Sequence, residues 1–151
     1  MSRHGNQWLI SVLFSILVAV VYSGSFVLPA VDFGPHRRGD VFELSGTSSG
    51  FEAFFLAIPA ILSGLPVWLA NPVFWLGLIL LAAYRPLGAA ICGAIAVLLA
   101  LTGLQPVESQ EILLVGYYVW LTSIGLLFLA GVGVTCLKRV NRQLPPEDGG
   151  A

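Results

Sequence analysis

The polar side chains that interrupt the apolar stretches of this sequence are few enough to name. Tyr22, Asn71 and Tyr117 stand inside long apolar runs, and Trp68, Trp75, Tyr118 and Trp120 lie close to the last two along the chain. The chemistry open to such a set is hydrogen bonding and stacking. An amide both donates and accepts, a phenol does the same, and an indole N–H only donates.

The residues that could do bond-breaking chemistry are placed badly for it. A serine nucleophile needs an activating base within hydrogen-bond reach, and the two histidines, His4 and His36, both fall outside the apolar runs. Cys92 and Cys136 are isolated within apolar segments, without a C-x-x-C pair or a neighbouring histidine, so they read as small packing residues. A metal site needs several ligands converging on it, and no cofactor is expected. Glu108 and Glu111 read as a solvated helix start, where negative charge complements the helix dipole.

The elements that must position these residues follow from composition. Of 151 residues, 57% are hydrophobic and 10% charged, where a soluble domain carries roughly a quarter charged residues. The mean hydropathy is +0.89. There is too little polar surface to cover a soluble fold of this size, and the plausible solvent is lipid. A net charge of -1 with no clustered basic surface excludes a nucleic-acid partner.

Four apolar runs predict four spans, at residues 8–28, 65–84, 87–104 and 112–137. The first is long enough to cross roughly 30 Å of hydrocarbon and stops before Pro29. Its length favours a retained helix over a cleaved signal, although Ser23, Gly24 and Ser25 are small enough for a cleavage site. The run 51–84 is too long for one helix and is broken by Pro59, Gly64 and Pro66. A short helix over 51–62 is therefore expected at the membrane surface or as a re-entrant piece. Ser49 and Glu52 have the spacing of a capping box at its start.

Pro86 suits the first position of the third span. The segment 29–50 forms an extramembrane loop, in which 31–33 and 41–44 could pair as a hairpin. The fold class expected is thus an all-α membrane protein of four spans plus one short interfacial or re-entrant helix. It forms one domain over 1–138, with a disordered tail over 139–151.

Basic residues orient the bundle. Four spans place Arg3, Arg85, Lys138, Arg139 and Arg142 on one side and Arg37 and Arg38 on the other. Cells retain the basic side in the cytoplasm, so both termini and the tail are expected there and the loop 29–50 outside. Counted inward from the outer ends, Tyr22, Asn71 and Tyr117 all lie roughly 9 Å deep by helical rise. An aromatic belt at the lipid interface accounts for the Trp and Tyr residues. It does not account for Asn71, whose amide has no partner in lipid. Asn71 is therefore expected to point into the bundle, within reach of a tyrosine hydroxyl from the first or fourth span.

Two stripes of small residues carry a second expectation. Ser11, Ser15, Ala19 and Ser23 recur every four residues in the first span, and Gly88, Cys92, Ala96 and Ala100 do so in the third. Small residues let membrane helices approach closely. They are expected to pack within the chain, the rival being a face for a partner.

The interiors of the four spans contain no Asp, Glu, Lys, Arg or His. Intramembrane ionisable residues mark ion and proton pathways, so a proton-coupled exporter, which needs a carboxylate in a span, is disfavoured. A thiol oxidase would need a cysteine pair. Trp68-Leu69-Ala70-Asn71-Pro72 and Gly116-Tyr117-Tyr118-Val119-Trp120-Leu121 resemble segments of small multi-pass bacterial inner-membrane proteins that carry no assigned activity. The resemblance reaches from the second to the fourth span and implies a bacterial inner-membrane location. The expectation for function is a non-enzymatic assembly or accessory component, partnered by lipid and by another membrane protein or further copies of itself. The alternative is a small oligomeric transporter or pore-forming subunit.

Overall fold

Four helices lie wholly within the described residues: α1 (Arg3–Ser25), α2 (Ala70–Ala82), α3 (Pro86–Leu101) and α4 (Val115–Gln143). The computed structural model describes residues 3–33, 46–52, 54–55, 66–104 and 111–143. Short 3-10 turns precede α2 at Pro66–Leu69 and extend α3 at Thr102–Leu104. Strands β1 (Pro29–Phe33), β2 (Gly46–Ser49) and β3 (Glu111–Leu113) form a small antiparallel sheet in the order β2-β1-β3.

Among the described residues, three helices are long and apolar enough to cross a membrane: Gln7–Ser25, Pro86–Leu104 and Val115–Gln143. The expected second span is shorter than the sequence suggested. Its α-helical part has 13 residues, preceded by the four-residue 3-10 turn. Pro72 is the reason the regular helix starts late. It sits in the first turn of α2, where amides have no intrahelical partner and a missing one costs nothing. The carbonyl left without an amide partner by Pro72 belongs to the 3-10 turn before it.

The other boundaries shift for comparable reasons. The first helix starts at Arg3 and ends at Ser25, three residues before the expected Leu28, because Phe26 and Val27 turn back onto Ser23 and Gly24. Pro86 opens α3 as expected. The last span begins three residues late, since Glu111 to Leu113 form a strand against β1 instead of a helix start. Glu111 is therefore not a helix-dipole residue, and Glu108 lies outside the described residues. At its far end α4 continues to Gln143, so the first five residues of the expected tail are helical.

The fold is mostly helical, as expected, and a small three-stranded sheet accompanies the helices. β1 pairs with 46–49 instead of 41–44, and on its other edge with 111–113; 41–44 lie outside the described residues. The capping box is complete, with Ser49 N donating to Glu52 Oε2 at 3.0 Å and Glu52 N to Ser49 Oγ at 3.3 Å. The helix it caps is described only over 50–52 and 54–55.

The core lies where the helices meet. α4 packs on α1 and α3, and α2 lies against α3 and α1. Val18, Phe74, Leu81, Ile124 and Leu127 are buried there. Small residues set the spacing, though not quite on the expected stripes. The buried side of α1 runs through Gln7, Ser11, Ser15, Val18, Tyr22 and Ser25, and Ser23 is exposed. A strict step of four drifts about 40° around a helix each time, whereas alternating steps of three and four stay on one face.

α3 behaves likewise: Ala89, Gly93, Ala96 and Ala100 are buried, and Gly88 and Cys92 are half-buried on its flank. That flank faces α2, where a methyl built on Gly77 would lie 2.9 Å from Cys92 Cβ. The other side of α3 meets α4 at backbone distance. A methyl on Gly93 would come within 2.7 Å of Phe128 Cα, and one on Gly131 within 2.5 Å of Ala90 N. Glycine is needed at both because no side chain fits between the helices.

Candidate functional site

The sheet determines where the polar cluster assembles. Leu114 N donates to Ala30 O at 2.9 Å, so the start of α4 is clipped beside the strand that follows α1. Tyr22, near the end of α1, then faces the first turns of α4 and α2. Tyr22 Oη donates to Asn71 Oδ1 at 2.8 Å, and Trp120 Nε1 donates to the same oxygen at 2.9 Å. Three helices thus meet on one amide oxygen, whose two lone pairs match two donors.

Asn71 is 7% exposed and Tyr22 is fully buried. The phenol ring stacks on Phe74 with centroids 4.4 Å apart and planes 12° off parallel. Phe26 meets its edge at 5.2 Å and Trp75 at 5.4 Å. Buried polar groups in such a setting are favourable only when bonded, and among the described residues no fully buried side-chain nitrogen or oxygen lacks a partner.

Of the expected residues, Tyr22, Asn71, Trp75 and Trp120 come together. Tyr117 lies beside Trp120 at 5.3 Å, but its hydroxyl donates to Ala100 O at 2.6 Å, joining α4 to the end of α3. The bond from the fourth helix to Asn71 therefore comes from an indole and not from Tyr117. Trp68 is directed elsewhere, its Nε1 donating to Phe54 O at 3.3 Å. Tyr118 is exposed, away from the cluster. Sequence reasoning missed Phe74 and Phe26, although Phe74 lies one turn from Asn71 on the same helix face and Phe26 directly follows α1, four residues past Tyr22.

The packing residues divide similarly. Ser15 is buried and returns its hydroxyl to Ser11 O at 2.9 Å, Ala19 is half-buried, and Ala96 and Ala100 are fully buried. Ser11 Oγ reaches across to Leu81 O at 2.5 Å, which ties α1 to the last turn of α2.

A second cluster, unforeseen from the sequence, forms at the opposite end. Tyr84 follows α2 with φ 58°, the left-handed region. Arg85 N donates to Leu80 O and Tyr84 N to Leu81 O, the double bond pattern of a Schellman cap, whose left-handed position is usually glycine. A non-glycine residue there costs roughly 1–2 kcal/mol. The side chain has offsetting contacts. Its hydroxyl donates to Gln7 Oε1 on α1, and Lys138 Nζ on α4 sits 3.4 Å from its ring centroid while donating to its carbonyl oxygen at 3.0 Å. Burial raises the Tyr84 phenol above its ordinary pKa, and the nearby Arg142 charge opposes that shift.

The two clusters differ in chemistry. One is a saturated amide acceptor among aromatic rings, the other a cation seated on a phenol. Among the described residues no three His, Cys, Asp or Glu side chains gather as a metal site would require. Compared with family models, curated proteins and solved structures, the chain matches none. The fold therefore defines a class and no family: a helical membrane protein with at least three helices able to span.

Proposed function

We propose that this chain is a non-enzymatic assembly or accessory component of a bacterial inner membrane, crossing it four times with both termini in the cytoplasm. The observation that carries this reading is the closure of the Asn71 node. The polar atoms of Tyr22, Asn71 and Trp120 bond to one another across helices, so they act as fasteners between α1, α2 and α4. A conduit would need polar groups facing a path instead. Ser11 and Tyr117, each bonded to a carbonyl of a neighbouring helix, support the same view.

The fourth crossing is supported by length and by contacts. α2 with its preceding turn covers about 28 Å, using about 1.5 Å per α-helical and 2.0 Å per 3-10 residue, which approaches the roughly 30 Å of a hydrocarbon core. Its first turn reaches Tyr22 and its last turn Ser11, so it runs antiparallel beside the length of α1. Orientation is supported by charge. Every described Lys and Arg sits at the Tyr84 end, and every described Asp and Glu at the sheet end. The outward faces of α1 and α3 carry large apolar residues such as Leu13, Leu17, Ile91 and Leu98, all more than half exposed, which lipid or a membrane partner covers.

Extraction in mild detergent followed by identification of co-purifying proteins tests the proposal. Stoichiometric membrane partners are the expected result. A lone homogeneous oligomer overturns it in favour of the small transporter or pore-forming subunit.

A further inference from the structure

The basic end of the bundle has an excess of charge that its own described residues do not neutralise. Lys138 and Arg142 lie four apart near the end of α4, hence on one face, where like charges repel. Lys138 is held in place by the ring and carbonyl of Tyr84, and Arg85 is the next residue after that carbonyl. Arg85, Arg139 and Arg142 are exposed. The described carboxylates, at Asp32, Glu52 and Glu111, are all on elements at the far end. The Schellman turn at Tyr84 is conformationally costly, yet it is what presents the Tyr84 carbonyl to Lys138, with Arg85 next in the chain. Three cations from two elements are therefore gathered at the level where spanning helices leave the hydrocarbon, which is where lipid phosphates lie.

We infer that Arg85, Lys138 and Arg142, arranged around the Tyr84 turn, bind the phosphate headgroup of an anionic phospholipid. A headgroup at this level supplies negative charge that the described residues there lack, and the half-buried Lys138 stem lets its ammonium reach toward it from the bundle. Arg85 and Arg142 provide forked donors suited to phosphate oxygens. The inference rests on the bundle lying in a membrane with this end at a lipid surface. It does not depend on whether the chain acts as an accessory component or a transporter.

The test uses the full chain in a neutral detergent, titrated separately with phosphatidylglycerol, phosphatidylcholine and inorganic phosphate, with bound lipid counted by native mass spectrometry. Phosphatidylglycerol should be retained in preference to phosphatidylcholine, and inorganic phosphate at equal concentration should not displace it. Arg85→Gln with Arg142→Gln removes two exposed cations and leaves Lys138 and Tyr84 intact. This variant should bind phosphatidylglycerol about thirtyfold more weakly, with an unchanged melting temperature in detergent alone. Equal retention of the two lipids, displacement by phosphate, or undiminished phosphatidylglycerol binding by the variant would each overturn the inference.

Discussion

Tyr22 on α1 and Trp120 on α4 donate to the same acceptor, Asn71 Oδ1, from 2.8 and 2.9 Å. Sharing makes the two ends of the node unequal. Tyr22→Phe removes one donor and leaves the indole bonded to Asn71, a loss of about 0.6 kcal/mol by the average for membrane hydrogen bonds. Asn71→Leu strips both donors of their acceptor, and each buried unsatisfied group costs about 1–3 kcal/mol. Thermal unfolding in detergent should rank Asn71→Leu well below Tyr22→Phe. Equal effects would show that the oxygen is not the common fastener.

Glycine positions on α4 give a contrast of opposite sign. Gly131→Ala places a methyl against the α3 backbone and should destabilise by about 1–3 kcal/mol. Gly125→Ala meets nothing within 4 Å and should stabilise, by up to about 1 kcal/mol of helix propensity. Ala96→Leu, at a fully buried position on α3, should behave like the first. Melting temperatures of the three variants check the ordering.

Tyr84 separates backbone strain from side-chain contact. Both Tyr84→Ala and Tyr84→Gly lose the ring under Lys138 and the bond to Gln7, but only glycine relieves the left-handed backbone. Tyr84→Ala should therefore be the less stable of the pair, by about 1–2 kcal/mol. Indistinguishable melting curves would place the turn outside the left-handed region.

Topology is open to reporter fusions. Fusions after residues 40 and 108 should read as extracytoplasmic, and those after residue 85 and at the tail as cytoplasmic. A cytoplasmic signal from the loop containing Arg37 would invert the arrangement, and a mature N-terminus near residue 24 would show cleavage of the first helix.

Much of the helical frame was legible because apolar length and proline placement act locally. Pro86 opens α3, and the Ser49 and Glu52 side chains cap a helix start, each through groups a few residues apart. The buried position of Asn71 was legible for a related reason, since an amide in an apolar run must find a partner inside. The exact packing stripe was not. Whether Ser23 or Val18 faces the core depends on which neighbours α1 meets, and that placed Val18 inside and Ser23 outside.

The sequence by itself determined that this chain belongs in lipid, because 57% hydrophobic and 10% charged residues leave too little polar surface for water. It also determined which residues could bond inside the bundle, because so few polar ones enter it. Only the tertiary structure decided the pairings: Trp120 instead of Tyr117 on Asn71, and Tyr84 between Gln7 and Lys138. The physical reason is range. These contacts join residues about fifty or more apart in the chain, and their geometry is set by β1 clipping α4 beside α1 and by glycines drawing α3 onto α4, neither of which any local pattern encodes.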